Sequence, residues 1–122
     1  MRLHLIDVTG FALPDGSTSV HWFRDAFAAL GLEDSFDLVV HDGIAGALPD
    51  PGEAARPGAG VIVSGSRGPV DPEKPWVPPL LELIADLHER GADLLGICFG
   101  CQALAIVLGG AVGENPRGRE MG

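Results

Sequence analysis

The chain has little cysteine, few basic residues and no long apolar run, and each shortage removes a class of protein. Two cysteines in 122 residues cannot staple a disulfide scaffold, so a reducing, cytoplasmic setting is the expectation. Eight Lys and Arg against seventeen Asp and Glu leave a formal net charge of -9. Such a surface repels phosphates, which argues against a nucleic-acid partner. No apolar run reaches the roughly 18 residues that a membrane span needs. The start, MRLHLIDVTG, lacks the apolar core and A-x-A site of a signal peptide. Internal repeats and low-complexity tracts are absent as well. What is left is one soluble domain, residues 1–122, with 46% hydrophobic residues and enough length for a core.

What is present is alternation. RLHLIDV is a short apolar run and predicts a buried strand. Ser17 or Thr18 can cap a helix through Phe23, Ala26, Phe27 and Leu30, with Gly31 as its stop. FDLVV predicts a second strand, closed by His41, Asp42 and Gly43. From Ile44 to Gly60 the Gly, Pro and Ala content predicts an exposed connection. GVIVSGS predicts a third strand running into a glycine-containing turn. After the proline-punctuated stretch Pro69–Pro79, LLELIADLHERG predicts an amphipathic helix, DLLGI a fourth strand and CQALAIVLGG an apolar helix. Such alternation implies βαβ units, and hence an α/β fold with an open, mainly parallel, flavodoxin-like sheet between helices. Ligands bind such sheets at the carboxyl ends of the strands. SGSRG and CFG both fall there.

The second of these lies in GICFGCQ, residues 96–102. A strand, then Gly-x-Cys-x-Gly, then a helix has the pattern of a nucleophile elbow. Gly96 and Gly100 would let strand and helix approach closely around a tight, strained turn. Cys98 would project from that turn at a helix N-terminus, where unpaired N–H groups favour a thiolate. The Phe99 N–H would face an oxyanion formed on an attacked carbonyl. Three other readings compete. Cys98 and Cys101 could be small buried hydrophobes, but the flanking glycines argue against it. CFGC is formally a C-x-x-C redox pair, but its Gly-Ile lead-in and the upstream SGSRG loop are foreign to that pattern. Zinc would need two more ligands, and the four histidines are scattered; no metal and no cofactor is expected.

GICFGCQALAIVLGG resembles the nucleophile segment of class I glutamine amidotransferases, a G-x-C-x-G-x-Q pattern followed by an apolar helix. VIVSGSRGPVDPEKPWVPPLLELI is similar to the oxyanion loop and following helix of that family. The likeness is to stand-alone members similar to the amidotransferase domain of GMP synthase, and GREMG matches the segment that follows their elbow helix. The resemblance is strong from Val61 to Gly122 and weak before it. It implies hydrolysis of the side-chain amide of glutamine, or of a γ-glutamyl amide, through a cysteinyl thioester, with ammonia passed to an acceptor. It implies Cys98 as the nucleophile, N–H groups of Phe99 and around Gly65 and Ser66 as the oxyanion hole, and Gln102 in the substrate pocket. Cys101 falls at a variable position of the motif and is expected to be structural.

The family's general base and its acidic partner lie downstream of the cysteine, in a His-x-Glu or His-x-Asp segment. Here His4, His21, His41 and His88 all precede Cys98. Only His41 falls at a strand's carboxyl end. In a 2-1-3-4 strand order it would sit three steps from the fourth strand, roughly 14 Å at about 4.8 Å per step. That is beyond hydrogen-bond reach. The expectation is therefore the N-terminal part of an amidotransferase-like domain: a truncated chain, a proteolytic fragment or half of a split enzyme. Its relay would lie in a missing C-terminal segment, with a synthetase as a further partner. The fourth strand would present an exposed edge that invites self-association. Alternatives of other classes are a non-catalytic binding or assembly module of the same fold and a dienelactone-hydrolase-like cysteine hydrolase.

Overall fold

Leu3, His4, Leu5 and Ile6 are all buried in the first strand, β1 (Arg2–Asp7), as a parallel strand covered on both faces requires. The computed structural model describes residues 1–113, so GREMG at 118–122 lies outside the described residues. Helix α1 (Ser19–Ala29) follows. Its cap is Thr18, whose N–H is held by the His21 Nδ1 at 3.0 Å. Strand β2 (Asp37–Asp42) pairs parallel with β1, bringing Ile6 opposite His41. Strands β3 (Ala59–Val63) and β4 (Asp93–Gly96) complete a four-stranded parallel sheet in the order β2-β1-β3-β4. This is the flavodoxin-like arrangement the alternation implied.

The stretch 44–60 differs from the expected exposed connection. It contains a one-turn helix, α2 (Pro51–Ala54), with Pro51 in its first turn and the Asp50 carboxylate accepting from the Glu53 N–H. Proline's fixed φ and the acidic cap hold this turn, and Ala54 is fully buried. Composition alone read as loop, because a four-residue helix carries no periodicity to detect. Two expected boundaries also shift. Strand β3 stops at Val63, leaving Ser64, Gly65 and Ser66 in the turn, and β2 extends through His41 and Asp42.

Helices α3 (Val77–Glu89) and α4 (Phe99–Val107) cover one face of the sheet. Val77, Leu80, Leu83, Ile84 and Leu87 form a helical stripe on α3. They pack with Ile6, Val8, Val61, Val63 and Phe99 into the larger core cluster. On the other face Leu3, Leu5 and Ile62 meet Val20, Phe23 and Phe27 of α1. Among the described residues β4 has a neighbour on one side alone, and its Leu95 is 56% exposed.

His4 is buried on the α3 face, neither catalytic in position nor exposed. Its Nδ1 lies 3.0 Å from the His41 Nε2, and the rings stack at 5.2 Å. Burial pushes the His4 imidazole below its ordinary value, with the Arg2 charge adding to the effect against Glu53 and Asp37. His41 is lowered by burial and then by His4 itself.

Candidate active site

The carboxyl ends of β1, β3 and β4 converge on Cys98. The residue occupies φ 50 and ψ -105, the one non-glycine with positive φ among the described residues. An L-residue in that region is strained and persists where its surroundings over-determine it. The surroundings here are two glycines. A β-carbon on Gly96 would lie 2.4 Å from the Gly100 carbonyl carbon and 2.5 Å from the Cys101 nitrogen. One on Gly100 would lie 2.3 Å from the Val63 carbonyl oxygen. Strand β4 and the start of α4 therefore pass at a distance only glycine permits, and the chain between them turns sharply. The Ile97 N–H bonds to the Val63 carbonyl and the Gly100 N–H to that of Ile97, both within 3.0 Å.

Phe99 opens α4, so its N–H has no acceptor within the helix. Its ring is buried at 2% exposure and tilts against Trp76 at 5.4 Å, which anchors the first turn of α4 to the core. The turn after β3 approaches from the other side: a β-carbon on Gly65 would stand 3.5 Å from the Cys98 β-carbon. Gly65 and Ser66, Cys98, Phe99 and Gln102 are thus brought together. Both cysteines are free and exposed, which removes the reading of Cys98 and Cys101 as buried hydrophobes and leaves Cys101 on the outer side of α4, not packed.

Cys98 stands between two cavities. One, of about 560 Å³, is lined by Ser66, Arg67, Gly68, Pro69, Phe99 and Gln102, with Val112 and Gly113. The other, of about 380 Å³, lies toward α1 and is lined by Phe11, Trp22, Phe23, Ala26 and Ile97, with the Thr9, Ser19 and Ser64 hydroxyls and Gly65 and Ser66 at its base. The Arg67 guanidinium sits 5.1 Å over the Phe11 ring and ties the two loops together. Beneath them Asp7 accepts from the Thr9 N–H at 3.0 Å, the Thr9 hydroxyl at 2.6 Å and the Ser19 hydroxyl at 2.8 Å. Burial raises the Asp7 carboxyl, but the hydrogen bonds from Thr9 and Ser19, with the nearby Ser64 hydroxyl adding to them, outweigh it and hold the group below the usual carboxylate range. Sequence reasoning missed this hub and the α1 cavity. Asp-Val-Thr at the end of a buried strand was the available signal for the hub, whereas the cavity depends on where α1 lies.

None of the histidines lines either cavity. His41 is on β2, at the opposite edge of the sheet from β4, and is engaged with His4. His21 is exposed on α1, and its Nδ1 caps the helix. His88 lies in the last turn of α3, at the end of the sheet away from Cys98. The described residues hold no group of three or more His, Cys, Asp or Glu placed for a metal ion, and no helix long and apolar enough to cross a membrane.

Comparison with known proteins identifies the family. Residues 45–122 match the family model of class-I glutamine amidotransferases. A 63-residue stretch is 38% identical to gamma-glutamyl peptidase 5 of Arabidopsis thaliana, covering 52% of this chain and 25% of that protein. Over 65 residues the chain is 45% identical to the glutamine-hydrolyzing GMP synthase of Aeropyrum pernix, covering 53% of this chain and 12% of the synthase. The corresponding synthase of Methylobacillus flagellatus is 43% identical over 65 residues, 52% of this chain and 11% of its own. The matched stretch is thus a quarter or less of these curated relatives. No solved structure matches the chain. With the family model covering well over half of its residues, the chain belongs to the class-I glutamine amidotransferases.

Proposed function

We propose that the chain carries the nucleophile half of a glutamine amidotransferase site, which opens the side-chain amide of glutamine or of a γ-glutamyl compound. The observation that carries this reading is the backbone of Cys98, held at φ 50 between β4 and α4 with Gly65 against it. In this mechanism the Cys98 thiolate attacks the amide carbonyl. The N–H groups of Phe99 and of the Gly65–Ser66 turn receive the developing oxyanion. Gln102 and the cavity it lines hold the γ-glutamyl portion. Collapse expels ammonia or an amine and leaves a thioester, which water hydrolyses.

The thiol proton needs an acceptor and the leaving amine a donor. We assign both to groups outside these 122 residues, because the four histidines are committed or distant. The relatives named as GMP synthases make a synthetase the natural consumer of released ammonia, and the relatives named as peptidases make a γ-glutamyl peptide the other candidate substrate. A cytoplasmic setting and contact of the β4 edge with a further segment, a partner or a second copy complete the proposal.

The test is ammonia release from glutamine. The 122-residue chain should run at least about three orders of magnitude below an extended chain, as loss of a relay member does. Supplying a downstream His-x-Glu segment should restore turnover, and Cys98→Ala should abolish it. Release by the isolated chain at an enzyme-like rate would overturn the absent base. Turnover indifferent to Cys98→Ala would overturn the nucleophile.

A further inference from the structure

Free glutamine loses ammonia, a molecule about the size of water, whose share of liquid volume is about 30 Å³. The cavity on the α1 side of Cys98 holds about 380 Å³. It falls in the range of small-molecule pockets, and ammonia would leave most of it empty.

Its chemistry is as specific as its size. Phe11, Trp22, Phe23, Ala26 and Ile97 provide the walls. Trp22 is 39% exposed, yet its indole N–H is directed to the Ser17 hydroxyl at 3.3 Å, which leaves the ring face to the cavity. The hydroxyls at the base are already committed. Those of Thr9 and Ser19 donate to Asp7, and that of Ser64 donates to the Gly65 carbonyl while accepting the Val8 N–H. An occupant therefore meets an apolar surface. The cavity across the thiol differs, with Arg67, Ser66 and Gln102 available to a zwitterionic γ-glutamyl group.

We propose that the α1-side cavity binds the amine-side group of the substrate, so that the favoured substrates are γ-glutamyl amides whose leaving amine carries an apolar or aromatic group. The inference rests on Cys98 as nucleophile. In the step it describes, the Cys98 sulfur bonds to the γ-carbonyl carbon, the C–N bond breaks and the thiol proton finishes on the departing amine. The apolar group of that amine remains in the cavity as the bond breaks, and binding energy realised there is available to the transition state.

The test uses alkylation, which needs no general base. Cys98 and Cys101 in the same molecule are labelled with iodoacetamide and, separately, with N-benzyl iodoacetamide. Cys101 borders neither cavity and serves as the internal reference. The benzyl reagent should raise the Cys98 to Cys101 rate ratio about tenfold over iodoacetamide, as expected from burying part of a phenyl ring. Ala26→Trp, a change on an exposed helix position that fills the cavity, should remove the gain and bring the Cys98 to Cys101 ratio for the benzyl reagent down to that for iodoacetamide in the same variant. Ala26→Ser should keep it. A benzyl gain below about twofold, under 0.5 kcal/mol by the usual constant, overturns the pocket while leaving the nucleophile standing. Cys98 inert to both reagents overturns both. A gain that disappears as protein concentration rises would assign the cavity to a second copy of the chain, and overturns the proposal too.

Discussion

Gly100→Ala is the sharpest test of why the elbow has its sequence. On helix propensity alone the change is favourable, since alanine is better than glycine in a helix by about 1 kcal/mol. The structure predicts the opposite sign. The new β-carbon would stand 2.3 Å from the Val63 oxygen and 2.9 Å from the Val63 carbonyl carbon. An ordinary contact needs about 1 Å more, and the obstacle is backbone in a fully buried strand. No rotamer change can relieve it. The first turn of α4 must lift, which loosens Phe99 from Trp76 and moves Cys98. Overpacking costs about 1–3 kcal/mol where side chains can adjust, so with a backbone wall we expect about 3–4 kcal/mol. After the propensity gain the net loss is about 2–3 kcal/mol. Urea unfolding should show a lower midpoint at unchanged slope. Gly113→Ala, with nothing within 4 Å, should be neutral. A loss under about 0.5 kcal/mol at Gly100, the size of an ordinary surface change, would refute the argument that close approach dictates this glycine.

Other expectations follow from the same contacts. Cys98→Gly should be more stable than Cys98→Ala by about 1–2 kcal/mol in urea melts, because glycine relieves the positive φ; equal stabilities would mean the turn is unstrained. Asp7→Ala strands the Thr9 N–H and the Thr9 and Ser19 hydroxyls and should cost about 1–3 kcal/mol by thermal melting. His4 and His41 are both held below their ordinary values, so the unfolded chain binds more protons than the folded one. Their stabilisation is complete above the unfolded pKa near 6.5 and is lost as pH falls through the folded values, with a slope of at most about 1.4 kcal/mol per pH unit for each proton excluded. His4→Phe should flatten the melting temperature between pH 7 and 5; an unchanged profile would show that the pair does not titrate with folding.

How much of this was legible in the sequence depends on the range of each cause. The βαβ alternation and the elbow have local causes: apolar runs of strand length, a capped helix, and glycines two residues either side of Cys98. A tight strand-to-helix turn around an L-residue demands those residue types wherever it occurs, so GICFG announced Cys98 by itself. GREMG carried part of the resemblance, but it lies outside the described residues. Helix α2 escaped because one turn has no period, and its cap, Asp50 on Glu53, reads like any other acidic loop. Residues distant in the chain were decided by tertiary structure alone. The register of β1 against β2 sets His4 on His41, which binds a histidine that sequence could exclude as a base only by counting strands. The second cavity arises because α1 carries Trp22 and Phe23 across the ends of β1 and β3 to within reach of Cys98, seventy-odd residues later. No local pattern encodes that meeting. It follows from parallel strands that bring every carboxyl end to one side, and from the packing of α1 on Leu3, Leu5 and Ile62 that fixes where its aromatic side chains stand.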